Sequence, residues 1–389
     1  MDEPGPFEFR HPTRRVIHGW GALGRLPEIA ASHGARRVAV VADACFRGTS
    51  MLDRLSVALT DGFDRPVVLH FVPPREPDTE SVEECHRTLA PSDPDLVVAI
   101  GGGSTMDCAK VARIMLANPG AAAELAGFDR PLRPHRSLAI GVPTTAGTGS
   151  EVSEMAVISQ AGSDVKLRYR SVALPFDIAL LDPELTVSMP RGVTAQTGFD
   201  AFTHALESYV SRGANLMTEP LSFAALVQLA RWLPVACEEP TNRAARSWCL
   251  VASMQAAIAF NSTQLGLCHA IAAPLGALHH VVHGLANAIA LPAVVAYNEP
   301  ALGAKGAAIA DALGAPTARE GVARLRERVG LDRGLDAFAP GAAQRDAIAR
   351  AAVKSGNLAF NPRPAGIDDV RRVLEAMRDP TAGGDVPIA

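Results

Sequence analysis

Short runs of apolar residues recur through the first half of the chain, with Asp, Gly and Pro around them. The runs lie at residues 38–41, 67–69, 96–100, 138–140 and 178–181. Unbroken apolar runs of this length fit strands that are buried on both faces, because a half-exposed strand alternates apolar and polar residues. Helical patterns separate the runs, and strands that alternate with helices pair in parallel. The first half is therefore predicted to form a parallel sheet covered by helices.

The second half has a different pattern. From about residue 192 it consists of long Ala- and Leu-rich segments with helical periodicity, at 193–211, 218–236, 243–260 and 343–355. Two prolines, Pro183 and Pro190, flank a short connection, which places the boundary near 186–191. We predict an α/β protein with a Rossmann-like parallel-sheet domain at residues 1–188 and an all-helical domain at residues 189–389.

Composition excludes several classes of function. The net charge of the 389-residue chain is −4, so no basic field attracts nucleic acid or an anionic membrane. The first 15 residues carry acids and lack an apolar core, and no run of about 18 apolar residues follows. The six cysteines show no CxxC spacing, which is typical of reduced, mostly buried thiols. We expect a cytoplasmic protein that binds neither membrane nor nucleic acid.

A run of glycines follows the third apolar run directly. Residues 95–100 lead into Gly101, Gly102, Gly103 and Ser104, after which a helical pattern begins. Glycines allow a ligand close to the backbone, and a helix N-terminus favours anions, so the element predicts a pyrophosphate site. It is not the GxGxxG fingerprint. The alternative is a structural turn between a strand and a helix.

A second loop of small and hydroxyl residues follows the fourth run. It reads PTTAGTGSE at 143–151 and contains Thr144, Thr145 and Thr148. Its hydroxyls suit phosphate oxygens or a nicotinamide amide, although a capped loop has the same composition. Because two such loops follow parallel strands, we predict dinucleotide binding.

Asp43 lies at the end of the first apolar run. A carboxylate at the carboxyl end of a strand can accept hydrogen bonds from a ribose 2′-hydroxyl and repels a 2′-phosphate, which favours NAD. The alternative is that Asp43 is the N-cap of a helix that begins at Ala44.

A carboxylate and several histidines recur in the helical half. Asp200 and His204 are four residues apart and therefore lie on one face of a helix. The segment 268–284 supplies further histidines. One carboxylate and three imidazoles suit zinc or iron(II). Each histidine taken singly is more often a polar core or surface residue, but their combination in an apolar helical domain predicts a metal site.

These motifs resemble the iron-containing (group III) alcohol dehydrogenases, whose fold dehydroquinate synthase and glycerol dehydrogenase share. The matching segments are HGWGALGRLP, GGGSTMDCAK, PTTAGTGSE, GFDAFTHALESY, GLCHAIAAPLG with HHVVHG, and NPRP. They span nearly the whole chain. The resemblance implies metal ligands at Asp200, His204, His269 and His283. It also implies cofactor contacts at Asp43, Gly101, Gly102, Gly103, Ser104, Asp107, Thr144, Thr145, Thr148 and Lys166.

The chain departs from the family pattern in three places. Many relatives carry a histidine four residues after the position of His269, where this chain has Ala273. Glu76 precedes Pro77 where the family often has Asn-Pro beside the adenosine. His279 and His280 stand where aromatic or small residues are common, and we predict that they act in catalysis in place of the missing histidine, His280 more than His279. The alternative is that both are solvated histidines on a connection between helices, with protons supplied by water or a ribose hydroxyl.

The predicted function is hydride transfer between NAD(H) and a small carbonyl or alcohol, assisted by one divalent metal, Fe²⁺ or Zn²⁺, in a homodimer. The resemblance lies near maleylacetate reductases and reductases of small functionalised aldehydes such as phosphonoacetaldehyde. Arg168, Arg170 and Arg363 are candidates to pair with an anionic substrate, unless they belong to solvated loops. The alternatives are a maleylacetate reductase, a dehydroquinate-synthase-like lyase and a metal-stabilised binding protein without catalysis.

Overall fold

A computed structural model describes residues 7–49, 52–53, 67–128, 130–163, 165–338 and 341–378. The chain forms two compact units, one of His11–Val187 and one of Met1–Arg10 with Ser188–Ala389. The first is an α/β unit and the second, in its described part, is helical. That residues 1–188 and 189–389 are separate domains stays a prediction.

A six-stranded sheet forms the centre of the α/β unit. Its strands are β1 (Arg15–His18), β2 (Val38–Asp43), β3 (Val68–Val72), β4 (Leu96–Gly101), β6 (Leu138–Pro143) and β9 (Ile178–Leu181). They run in the order β1-β9-β6-β4-β2-β3, and every neighbouring pair is parallel. Val97 and Ala99 of β4 join one apolar cluster and Leu96 and Val98 another, all fully buried. The predicted parallel sheet with two buried faces is confirmed.

Three helices and a second, three-stranded sheet complete the described part of this unit. The helices are α1 (Leu26–Ser32), α2 (Thr79–Leu89) and α3 (Gly103–Met115). The second sheet has the order β5-β8-β7, with β5 (Gly127–Phe128), β7 (Met155–Ser159) and β8 (Lys166–Arg170). Arg168 and Arg170 therefore lie on a strand and not in a loop, and their contact with an anionic substrate stays a prediction.

The described part of the helical unit contains nine α-helices. They are α4 (Arg191–Val210), α5 (Thr218–Glu238), α6 (Arg243–Thr263), α7 (Leu267–His279), α8 (His283–Leu302), α9 (Ala304–Ala312), α10 (Ala318–Arg328), α11 (Ala342–Ala352) and α12 (Ile367–Ala376). The four predicted helical segments overlap α4, α5, α6 and α11. Helix α4 packs against α5, α6 and α8, and α7 packs against α8.

Two glycines allow these helices to approach closely. A Cβ on Gly198 would lie 2.1 Å from Leu233 Cδ1, so the Leu233 side chain of α5 packs directly on the backbone of α4. A Cβ on Gly284 would lie 2.1 Å from the carbonyl oxygen of Gln196. The first turn of α8 therefore rests directly on the backbone of α4, at the end where His283 and Asp200 lie.

The apolar segments carry no sign of covalent cross-links. All six cysteines are free, and five of them are buried, Cys45 being the exception. This confirms the prediction of mostly buried thiols. Among the described helices, α5 is long and apolar enough to cross a membrane, but the core helix of a soluble protein passes the same test of length and composition. The cytoplasmic location stays a prediction.

Candidate functional site

Four side chains of the helical unit meet around one carboxylate oxygen. Asp200 and His204 lie one turn apart on α4, His269 lies in the first turn of α7, and His283 begins α8. The Nε2 atoms of His204, His269 and His283 lie 3.7, 3.6 and 3.6 Å from Asp200 Oδ1. Metal–ligand bonds of about 2.0–2.2 Å in tetrahedral geometry separate ligand atoms by about 3.3–3.6 Å. The ligand atoms of Asp200, His269 and His283 also lie within 4.8 Å of one another, which fits one divalent cation. His204 lies beside Asp200 but does not belong to that mutually close group, so its role as a fourth ligand stays a prediction.

Burial and charge at this cluster also suit a cation. Asp200, His204 and His269 are buried, whereas the His283 side chain is 46% exposed. Burial disfavours the charged form of Asp200, but the imidazoles of His204 and His283 outweigh it and hold the pKa well below its ordinary value. Burial lowers the pKa of His204 to about 4 despite the nearby carboxylate. An ionised aspartate and a neutral imidazole are the forms that bind a metal.

Two residues that sequence reasoning missed support the cluster. Asn287 is fully buried, and its Nδ2 donates to Asp200 Oδ1 at 2.7 Å. Glu207 Oε2 lies 2.6 Å from His269 Nδ1. Burial alone would lower the pKa of His269, but the nearby carboxylates of Asp200 and Glu207 raise it to about 9, so a cation bound at Nε2 would replace a proton there. The spacing held a signal for both, since Glu207 lies three residues after His204 and Asn287 four after His283.

The two loops predicted to hold the dinucleotide pack against each other in the α/β unit. Strand β4 ends at Gly101, helix α3 begins at Gly103, and the Thr144 amide donates to the Gly101 carbonyl at 3.0 Å. A Cβ on Gly103 would lie 2.7 Å from Thr148 Cγ2, and one on Gly101 would lie 2.5 Å from Thr105 Oγ1. Glycine is thus required at these positions by the packing of threonines, whether or not a phosphate binds.

The Asp107 side chain accepts hydrogen bonds from the second loop and from the neighbouring strand β7. Its Oδ1 accepts from the Ser150 hydroxyl at 2.7 Å, and its Oδ2 accepts from the Val157 amide at 2.9 Å. The buried Lys110 donates to Ser150 Oγ at 2.8 Å and to the Met155 carbonyl at 2.8 Å. Both carboxylate oxygens of Asp107 therefore have protein partners, which favours an indirect role in cofactor binding.

The two units match the two halves of one family. Residues 12–183 match the iron-containing alcohol dehydrogenases, and residues 194–378 match the C-terminal part of the Fe-containing alcohol dehydrogenase family. The chain belongs to the iron-containing alcohol dehydrogenase family. It is therefore an oxidoreductase of the alcohol dehydrogenase class, which confirms the predicted family and enzyme class.

Individual relatives agree with this family assignment. The probable alcohol dehydrogenase EutG of Escherichia coli (strain K12) is 35% identical over 361 residues, 91% of each chain. A crystal structure of 1,3-propanediol oxidoreductase matches with a TM-score of 0.91 at 29% identity, over 96% of this chain and 100% of that one. A sulfoacetaldehyde reductase from Bifidobacterium kashiwanohense, in complex with NAD⁺, matches with a TM-score of 0.89 at 27% identity, over 96% and 99%.

Asp43 is placed at the edge of the sheet where the glycine run of this iron-containing dehydrogenase lies. It ends β2, whose Ala42 pairs with Ile100, the residue before Gly101. Its Oδ1 accepts from the Cys45 amide at 2.9 Å, so it caps the short 3₁₀ helix Ala44–Phe46. The N-cap alternative is therefore observed, and the ribose contact stays a prediction.

Lys166, a further predicted cofactor contact, has a partner that the family pattern does not provide. It lies on β8 and forms an ion pair with Glu76, the residue that stands where relatives often have asparagine. Burial lowers the pKa of Lys166. A cofactor that contacts this lysine must share it with the Glu76 carboxylate.

The two histidines predicted to act in catalysis lie where α7 ends. His279 is the last residue of α7, and its buried Nε2 has no hydrogen-bond partner among the described residues. His280 is exposed and adopts a left-handed backbone conformation with φ of 53°. Ala273 lies one turn after His269 on the same helix and is partly buried. Catalytic roles for His279 and His280 stay predictions.

Proposed function

We propose that this enzyme interconverts a small aldehyde and its alcohol with NAD(H), using one divalent metal, Fe²⁺ or Zn²⁺. The observation that carries the proposal is the convergence of the donor atoms of His204, His269 and His283 on Asp200 Oδ1. A cation held there supplies Lewis-acid polarisation of a carbonyl oxygen. The family match and the NAD⁺ complex of a similar reductase support this proposal.

Residues of both units would hold and orient the metal and the dinucleotide. Asp200 keeps its charge in a buried place because three imidazoles surround it, and Asn287 fixes its Oδ1. In the α/β unit we propose that the two loops bind the dinucleotide through Gly101, Gly102, Gly103, Ser104, Thr144, Thr145 and Thr148, with Asp43 and Lys166 beside them. Asp107 would act by holding the second loop in place, since Ser150 and Val157 occupy its carboxylate.

We further propose a small anionic aldehyde, such as phosphonoacetaldehyde, as a substrate to be tested beside uncharged ones. The similarity to a sulfoacetaldehyde reductase favours it. Of the three candidate arginines, Arg363 is already engaged, because it donates to the Tyr297 carbonyl at 2.9 Å and stacks 4.3 Å from the Tyr297 ring centroid. Arg168 and Arg170 on β8 are the remaining candidates for an anion contact.

The deciding experiment is a substrate screen with metal analysis. Purified protein is assayed for NADH oxidation with acetaldehyde, propionaldehyde, sulfoacetaldehyde, phosphonoacetaldehyde and maleylacetate, and its metal content is measured. We expect NADH oxidation with at least one small aldehyde. His269→Ala should lower metal content and turnover together, because one of four protein ligands is removed. Metal-loaded protein that oxidises no NADH with any of them would refute the proposed activity.

A homodimer in the cytoplasm completes the proposal. The chain mass is 40.8 kDa. Light scattering of the purified protein should therefore give twice that mass, and a value equal to one chain would exclude the dimer.

A further inference from the structure

The strongest contact near the metal cluster that the proposed function leaves unused belongs to Glu207. This residue lies on α4 in the motif HALES, its side chain is 3% exposed, and both of its carboxylate oxygens are engaged. Oε2 lies 2.6 Å from His269 Nδ1, and Oε1 accepts from the Cys268 amide at 2.7 Å. One carboxylate thus holds both the ring of His269 and the backbone that precedes it.

We propose that Glu207 is the positioning residue that sets His269 for the metal, an inference that rests on the proposed metal centre. His269 can bind a cation through Nε2 only if that atom carries a free electron pair, which puts the ring proton on Nδ1. A carboxylate accepting from Nδ1–H fixes this tautomer and the rotation of the ring. With the ring so held, Nε2 lies 3.6 Å from Asp200 Oδ1.

The second oxygen of Glu207, Oε1, accepts a hydrogen bond from the backbone at the start of α7. Cys268 is in the first turn of α7, where backbone N–H groups have no partner within the helix. Both groups that face the carboxylate are therefore donors. Glutamine has the same shape but must turn its NH₂ group toward one of them. The site thus requires two acceptor oxygens as well as a side chain of this length.

The Glu207 carboxylate packs closely against the backbone at Gly266. A Cβ on Gly266 would lie 2.9 Å from Glu207 Oε1 and 2.9 Å from Asn361 Oδ1. The start of α7 is therefore clamped between two buried side chains that are distant in sequence. Any larger residue at 266 would have to displace one of these two side chains or the start of α7.

Asn361, in the NPRP motif, provides a matched control. Its Oδ1 accepts from the Leu267 amide at 3.1 Å, and Asn298 holds its amide. It therefore supports the same helix start as Glu207. Its hydrogen bonds are with Leu267, Asn298 and Arg363, so its contact with α7 is to the backbone and not to the His269 ring. Substitutions at the two residues therefore distinguish an effect on the His269 ring from an effect on the start of α7.

The test measures zinc affinity without any assay of turnover. Metal-free full-length protein is titrated with Zn²⁺ in competition with a chromophoric chelator, and its thermal unfolding is recorded in parallel. Glu207→Gln should bind Zn²⁺ about 10–100-fold more weakly than wild type. Asn361→Ala should lower the unfolding temperature while its zinc affinity stays within about threefold of wild type. Glu207→Asp, which keeps both acceptors at a shorter reach, should bind more tightly than Glu207→Gln.

Each result bears on the proposal. Equal zinc affinity in Glu207→Gln and wild type would overturn it, and so would equal losses in Glu207→Gln and Asn361→Ala, since Glu207 would then only support the helix. If Glu207→Gln does not fold, Glu207→Asp takes its place, and wild-type affinity in that variant together with an unchanged Co²⁺ absorption spectrum would overturn the proposal. Wild-type protein that binds no Zn²⁺ or Fe²⁺ would instead refute the metal centre itself.

Discussion

The Asp43 carboxylate has two proposed roles, one in capping a short helix and one in selecting the cofactor. One of its oxygens accepts from the Cys45 amide, which caps a short helix after β2. The other role, which stays a prediction, is electrostatic, because a negative charge at the end of a strand would oppose the 2′-phosphate of NADPH. Two unit charges about 4 Å apart interact by about 4 kcal/mol at a protein surface, and salt reduces this. The two roles can be separated, because serine also caps helices but is uncharged.

Asp43→Ser should therefore relax the cofactor preference without unfolding the loop. We expect wild type to prefer NADH, and we expect the ratio of kcat/KM for NADH over NADPH to fall by about tenfold or more in the variant, which corresponds to about 1.4 kcal/mol. Thermal unfolding of both proteins serves as the control and should agree closely. Preference of the wild-type enzyme for NADPH would show that Asp43 does not select the cofactor.

The candidate proton donors of the reaction are His280 and His279. We predict that replacing His280 lowers kcat by about 10²-fold with little change in bound metal, since general acid assistance is worth about 10²–10⁴-fold. His279→Ala should do less. Because His280 has φ of 53°, His280→Ala also strains the backbone, so His280→Asn, which tolerates this conformation, is the cleaner variant.

The measurement is kcat against pH for His280→Asn and His279→Ala. The reverse order of effects would assign the role to His279, whose buried Nε2 has no partner within the described chain. Two profiles equal to wild type would leave proton transfer to water and the cofactor's ribose hydroxyl.

At the scale of elements, the strands that the sequence predicted are those that two apolar layers bury. Strand β4 is buried at every residue, which agrees with its unbroken apolar run. Strand β1 reads RVIH and buries one residue of four, and β8 reads KLRYR with charges along it. Strand β1 is stabilised by pairing with β9, which lies far away in sequence, as Arg15 does with Ile178. Strand β8 is stabilised by pairing with β7 just before it, as Lys166 does with Ser159, and with the more distant β5. A local pattern does not record such pairing.

The sequence predicted the candidate metal ligands but not the residues that hydrogen-bond to them. The i,i+4 spacing of Asp200 and His204 and the downstream histidines indicate a metal site from the sequence, and the family resemblance implies His269 and His283 among the four histidines of segment 268–284. Glu207 and Asn287 were missed because a buried polar residue on a helix has many ordinary explanations. Their roles depend on which helix faces which, and that is fixed by contacts such as Gly284 against Gln196.

The second loop of the α/β unit should make stability depend on pH. Glu151 is buried, one of its oxygens has no hydrogen-bond partner among the described residues, and burial raises its pKa to about 7 from an ordinary 4.5. The unfolded chain therefore ionises at lower pH than the folded one. The resulting stabilisation is complete below about pH 4.5 and is lost as pH rises through about 7.

Glu151→Gln should remove this dependence. Between pH 5 and pH 8 the free energy of unfolding of the variant should rise by about 2 kcal/mol relative to wild type. Urea titrations of both proteins at the two pH values give the difference. The same difference at pH 5 and pH 8 would show that Glu151 does not ionise in this range in the folded protein.

In the molecule as a whole, the proposed metal would connect elements that only folding brings together. Its four candidate ligands come from α4, α7 and α8 and span residues 200–283. An unfolded chain does not present them together, so a cation that binds the folded state stabilises it through the difference in affinity. At a free metal concentration of 100 times Kd the gain is about 2.7 kcal/mol.

Removal of the metal should therefore lower the unfolding temperature and loosen one part of the molecule. With about 2–4 °C for each kcal/mol in a chain segment of this size, chelation should lower Tm by about 5–10 °C. Hydrogen exchange should show faster exchange in α4, α7 and α8, while β4 and β6 keep their protection, because all four candidate ligands lie on helices of the helical unit. His269→Ala should start at the lower Tm and show no further change on chelation. Equal loss of protection in the strands and the helices, or an unchanged Tm after complete metal removal, would show that the four side chains do not hold a stabilising cation.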